Sequence, residues 1–438
     1  MAFFQCAELR IRTHTSRGFD PLSFRPWLSV GRMAYARPLD RRFSVSGARC
    51  YAGFVGECIV VMTRPAQTHE ALGPKGTGNK MGESAPYLDS RPSQFPSTVG
   101  ELQGEQAILD CLEKTAQGLG GPEYGVNVMN LYVALKSKPM AILYGPADGG
   151  KDNAVRSVAR LLAGDDPLCY QRMVAHARWA SGNRNVALFT AAQTRLNSSK
   201  LLALIEEALQ PENAPYIYMA HLQGLTPAEL MGFFTDLAPQ IVDGWLTRLP
   251  CLDLAAPRPY PTNLLLTGTM DAASFNWYDP NLLSQATVIL WSSGPSSSST
   301  LHPEHRQTGA GRRFLASRVR SRQAACRKLL RLPTSVSSAM RTLHQIELAL
   351  ARHGVALPAS AVDDVLIYLA NAWTDEGTGV FDRDPEGNLQ TALDLAVSQN
   401  VLPHALAELR ALPRLSRQLS RLFQPELPRA STLLTSLC

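Results

Sequence analysis

Residues 145–152 read GPADGGKD, and few stretches of eight residues restrict a fold as much. The spacing fits G-x-x-x-x-G-K-[ST], a loop whose backbone N–H groups wrap phosphate oxygens, at every position but the last. Such a loop needs glycine where the backbone turns inward and approaches an anion; here these are Gly145, Gly149 and Gly150. Lys151 adds a point charge, and the helix that follows adds its positive end. The cradle as a whole comprises Gly145, Pro146, Ala147, Asp148, Gly149, Gly150, Lys151, Asp152 and Asn153. Its flanks agree with it. The run 139–144, PMAILY, predicts a buried strand. Ala154, Val155, Val158, Ala159, Leu161 and Leu162 recur at helical spacing and stop at Gly164. The departure is Asp152, where the motif places a neutral hydroxyl on Mg²⁺. A carboxylate is itself a hard oxygen ligand for Mg²⁺, so Asp152 is the candidate metal ligand, but it brings negative charge toward the phosphates.

The surrounding pattern alternates strand and helix. Helices are predicted over 106–119, 200–210 and 227–238, and strands over 215–220 and 263–267. That alternation predicts an α/β core with a parallel sheet and helices on both faces. From 339 onward the chain reads as helices alone, over 343–353, 361–373, 389–399 and 402–422. The predicted organisation is an N-terminal region of unassigned fold at 1–62 and a linker at 63–100 rich in Pro, Gly, Ser and Thr. An α/β core follows at 101–291, then a Ser-rich and basic linker at 292–338 and a helical domain at 339–438. The second glycine-rich stretch, GPKGTGNK at 73–80, follows no apolar strand and is read as a decoy.

Composition narrows the function classes. A chain of 438 residues with 45% hydrophobic content has enough apolar surface for a globular core. It contains no run of about 18 apolar residues, which argues against a membrane span. Eight scattered cysteines without a C-x-x-C pair suit free thiols in a reducing cytoplasm. His302 and His305 lack companion ligands and are a poor metal site. The formal charge of +6 is unevenly spread. Nine basic residues and no acid lie between Arg306 and Arg331, a segment read either as a grip on nucleic-acid phosphates or as a solvated basic helix.

Residues 200–290 resemble the nucleotide-binding core of the McrB-like branch of the AAA+ family. The resemblance is carried by LLALIEEAL at 201–209, PYIYMAHLQGLTPAEL at 215–230, RLP at 248–250 and PTNLLLTGTMD at 261–271. With the phosphate loop and the later VLP at 401–403, it covers about 125–420. It implies a three-layer P-loop NTPase core with a C-terminal helical lid. It also implies binding of ATP or GTP with Mg²⁺, and assembly as an oligomer or with another AAA+ subunit. The departures from the branch are specific. Ala220 and His221 stand where it carries an Asp-Glu pair, Asp271 stands where its sensor has Asn, and 281–288 lacks its arginine. On this reading His221 replaces the general base and Asp152 supports the metal, so both catalytic positions, His221 and Asp271, are altered. Three functions remain open: a remodelling NTPase, a nucleotide-binding switch or scaffold that hydrolyses slowly or not at all, and a basic subunit that contacts nucleic acid.

Overall fold

The computed structural model describes residues 104–147, 149–164, 166–174, 186–226, 233–234, 237, 240–241, 244–271, 280–291, 310–332, 334 and 336–437. All belong to one compact unit, Ser90–Cys438. The readings of 1–62 and 63–100, the decoy loop, Asp148, most of the 227–238 helix, the Ser-rich break at 292–300, His302, His305 and Arg306 lie outside the described residues.

Five parallel strands make the central sheet: β1 (Met140–Gly145), β2 (Tyr170–Val174), β3 (Tyr218–Leu225), β6 (Leu264–Asp271) and β7 (Ala286–Leu290), in the spatial order β2-β3-β6-β1-β7. Strands β4 (Trp245–Leu249) and β5 (Leu252–Pro259) form a separate antiparallel pair. Alternation along β1 explains why the strand is apolar throughout. Ala141 and Leu143 enter one core, while Met140, Ile142 and Tyr144 enter the other, so both faces are covered. Helices α1 (Glu105–Ser137) and α2 (Lys151–Leu162) cover the first face, and α3 (Val186–Ala208) covers the second.

The first predicted helix runs further than its pattern suggested. It kinks at Gly121, whose φ of 79° is left-handed, and restarts at Pro122, whose missing N–H costs nothing at a helix start. The strand expected at 215–220 lies later, over Tyr218–Leu225, because its partner β6 extends to Asp271. Strands β2 and β7 were not predicted.

After the sheet come α4 (Pro280–Gln285), α5 (Ala310–Ser317), α6 (Arg322–Leu329), α7 (Ser337–Arg352), α8 (Ala359–Asn371), α9 (Pro385–Ala396), α10 (Leu402–Ala411), α11 (Pro413–Phe423) and α12 (Pro428–Leu437). A π-helical turn, Val397–Val401, joins α9 to α10. The single helix expected over 402–422 is two, since Pro413 supplies no N–H to continue the first. These helices do not stand apart from the sheet. Leu369, Leu393 and Leu402 share a hydrophobic cluster with Leu131 of α1 and Leu143 of β1. Buried polar groups tie the same elements: Tyr368 donates to Asn130 Oδ1 at 2.7 Å, and Gln399 donates to the same oxygen at 2.9 Å.

Candidate functional site

The glycine-rich loop leaves the carboxyl end of β1 and enters α2. In open parallel sheets ligands bind at this edge, where strand order reverses, and here the chain passes to β2 on one side of β1 and later to β7 on the other. Gly145 is required by close approach: a Cβ there would lie 2.2 Å from the Trp291 carbonyl, and Trp291 N–H donates to Tyr144 O at 2.7 Å. Gly150 sits at φ 77°, with the Tyr124 ring 3.0 Å from where a Cβ would stand. Two aromatics close over the loop backbone. Trp291 Nε1–H donates to Gly149 O, Tyr124 O–H donates to Gly150 O at 3.3 Å, and their rings meet edge to face at 5.6 Å. Gly149 N–H turns back to Pro146 O at 3.1 Å. Pro146 and Ala147 are exposed at the loop tip. The first turn of α2 has no side-chain cap, so its leading N–H groups face the loop without an internal acceptor.

Lys151 is 2% exposed, and its amine is fully engaged. Nζ donates to Gly145 O at 3.1 Å and to Pro146 O, and pairs with Asp271 Oδ1 at 2.8 Å. Register explains the pairing, because Asp271 lies opposite Gly145 across the β1–β6 ladder. A carboxylate oxygen thus rests against the lysine amine. Asp271 is half-exposed at the end of its strand, while Lys151 is buried.

Asp152 projects the other way, toward β3 and β6. Its Oδ1 accepts from Thr269 Oγ1 at 2.7 Å and faces His221 Nε2 at 3.1 Å, and its Oδ2 accepts from Gln223 Nε2. Burial pushes its carboxyl up, but the bonds from His221 and Thr269, the nearby His221 charge and the bond from Gln223 outweigh that and bring it down to about 2. His221 is 1% exposed. Its Nδ1 lies 3.1 Å from Thr267 Oγ1, which also lies 3.2 Å from Ala220 O. Since Asp152 only accepts, Nε2 carries a proton toward it, and neither ring nitrogen is left for a substrate.

The described loop residues therefore meet Asp152, His221 and Asp271 at one edge of the sheet. Asn153 stands apart: its carbonyl accepts from Ser157 Oγ at 2.8 Å inside α2. Gln223, Thr267 and Thr269 lie inside the motif stretches without a predicted role, and Tyr124 and Trp291 lie outside them. The first three align with the motif residues only through strand register, in which His221 pairs with Thr267 and Leu222 with Gly268. The aromatics come from α1 and from the end of β7.

Mg²⁺ needs several free hard oxygens. Three donors take up most of the acceptor sites of the Asp152 carboxylate, and both ring nitrogens of His221 are engaged. Among the described residues no group of three or more His, Cys, Asp or Glu side chains could hold a metal ion. The described residues therefore do not make a protein-held Mg²⁺ site.

Part of the described basic segment is engaged with the rest of the protein. Arg318 donates to Lys136 O at 3.1 Å and Thr262 O at 3.2 Å and lies over the Phe314 ring at 5.7 Å. Arg320 also donates to Thr262 O at 2.5 Å, Arg322 pairs with Asp363 at 3.1 Å, and Lys328 donates to Trp373 O at 2.8 Å. Arg312, Arg313, Arg327 and Arg331 remain exposed. Among the described residues no helix is long and apolar enough to cross a membrane.

No protein-family model and no curated protein matches the chain. Among solved structures it is similar to a candidate ATPase from Cytophaga hutchinsonii at 12% identity and a TM-score of 0.41, over 76% of this chain and 93% of that one. A likeness this distant adds no weight to any reading of the site.

Proposed function

We propose that this chain is an AAA+-type P-loop protein with a C-terminal helical lid, which binds ATP and acts as a nucleotide-dependent switch with slow hydrolysis or none. The observation that carries the reading is the placement of GPADGGK: it leaves a central parallel strand at its carboxyl end and enters an uncapped helix with a buried lysine amine. The amine already holds an anionic oxygen, that of Asp271, so its surroundings suit a phosphate. Regular turnover is disfavoured for a separate reason. Hydrolysis needs a metal-supporting carboxylate and a group that orients water. Asp152 is satisfied by three protein donors, and His221 has both ring nitrogens taken. GTP is the alternative base. Oligomer assembly, with an arginine supplied by another AAA+ subunit, and a cytoplasmic location complete the proposal.

The test is titration of the full chain with fluorescent ATP and GTP analogues, with and without Mg²⁺, beside Lys151→Ala. Turnover is followed in the same samples. The switch predicts binding that Lys151→Ala abolishes, with negligible phosphate release. Sustained release by the native chain would replace the switch with a motor. Binding of neither nucleotide would end both readings.

A further inference from the structure

Helices α7 and α11 pack side by side and leave an open groove of about 750 Å³ between them, remote from the phosphate loop in sequence. Four arginines line it: Arg352 from the last turn of α7, and Arg414, Arg417 and Arg421 from α11. Positions 414, 417 and 421 share one helical stripe, because residues three and four apart stack on the same face. The opposite face of α11 is committed inward through Leu415, Leu419 and Phe423. All four guanidinium side chains are exposed. Among the described residues no acid pairs with any of them; Arg417 Nε reaches only the Pro413 carbonyl, at 3.3 Å. The nearest acid on α7, Glu347, faces His344 at 3.7 Å. Between the arginines the lining is aliphatic, with Leu348 42% exposed and Leu422 half-buried.

Four like charges beside an exposed leucine give the groove a positive field and an apolar strip, which together suit a covering group that is both acidic and apolar. We propose that it receives an acidic amphipathic helix from a protein partner. Such a helix would lay Leu-type side chains on Leu348 and Leu422, and its Asp or Glu residues, spaced like the arginines, would pair with the guanidinium forks. A nucleic-acid backbone matches the charge but leaves the exposed leucine uncovered, and no aromatic side chain lines the groove to stack on bases. This inference does not depend on the nucleotide reading.

The test uses the full chain and a labelled synthetic helix of about five turns, with Leu on one face and Glu along both flanks, followed by fluorescence anisotropy. A Glu→Gln version of the helix and a labelled DNA duplex are the controls. The proposal expects saturable binding of the acidic helix. Arg417→Glu with Arg421→Glu weakens it about tenfold or more, and Leu348→Gln weakens it several-fold. A helix carrying Lys in place of Glu recovers affinity for the charge-reversed protein. All substituted residues are exposed, so unchanged melting curves exclude misfolding. Duplex binding lost in the charge-reversed protein but insensitive to Leu348→Gln would overturn the proposal in favour of a nucleic acid. So would an acidic helix that fails to bind, or that binds both proteins alike.

Discussion

Asp152 and Asp271 are adjacent to one loop, yet their partners give them opposite roles. Among the described residues Asp271 pairs with Lys151 and is half-exposed, so it would compete for Lys151 with an incoming phosphate. Under the proposed function, Asp271→Asn removes a negative charge beside the bound phosphates, and Coulomb repulsion at a partly wet site is worth about 1 kcal/mol or somewhat more. Nucleotide affinity is therefore expected to rise about tenfold, measured by the same titration; unchanged affinity would mean that Asp271 does not contest the lysine. Asp152 is structural in this arrangement. Asp152→Ala leaves His221, Thr269 and Gln223 facing a lost acceptor and is expected to cost about 2 kcal/mol in urea unfolding. The carboxyl is held down to about 2, below its ordinary value of 3.8. Its ionised form therefore adds stability that is complete above the unfolded value and is lost as pH falls from about 4 toward 2. With a third of the side chain exposed, that contribution is about 1 kcal/mol after screening. Unfolding midpoints for native protein and Asp152→Asn should converge over that range; parallel curves would show that Asp152 is not the group responsible.

Elements differ in how well the sequence announced them, and the reason is burial. β1 and α2 were legible because a strand covered on both faces is apolar throughout, and a helix covered on one face repeats at 3.6 residues. β2 reads YQRMV and buries only Met173 fully, so it carries no two-sided signature. β5 contains proline and is mostly exposed. Within the site, Lys151, Asp152, His221 and Asp271 were visible as motif positions or as departures from a motif. Gln223, Thr267 and Thr269 were not, since only lateral pairing of β3 with β6 brings them to Asp152. The buried ion pair of α1 was equally hidden. Lys136 and Glu105 lie 2.6 Å apart at opposite ends of the kinked helix, and Tyr132 O–H donates to the same carboxylate oxygen at 2.8 Å. Burial lowers the lysine to about 8, with Glu105 opposing the shift. Glu105→Ala strands a buried cation and is expected to cost about 3–5 kcal/mol. Glu105→Gln combined with Lys136→Met should recover most of that loss; a double variant as unstable as the single would place the cost elsewhere in α1.

At the scale of the whole molecule, the C-terminal helices and the sheet share one apolar cluster, and under the proposed function this is the route by which an occupied phosphate loop would act on those helices. Asn371 of α8 is fully buried. Its amide donates to Val319 O at 2.8 Å and to Ser137 Oγ at 3.2 Å, and its oxygen accepts from Val319 N–H at 2.9 Å. One side chain thus joins α8, the end of α1 and the chain between α5 and α6. Lys138 repeats the theme, pairing with Asp364 at 2.7 Å and donating to Leu283 O at 2.6 Å. A lid on a loose hinge would unfold separately from the sheet. A lid sharing buried polar groups and a continuous apolar cluster with it should melt together with it. Asn371→Leu leaves the Val319 N–H and C=O without partners, at about 2–4 kcal/mol. In calorimetry of the full chain, that substitution is expected to lower one common transition of these helices and the sheet by several degrees. If a C-terminal transition moved alone while a second stayed in place, the helices would be an independent domain.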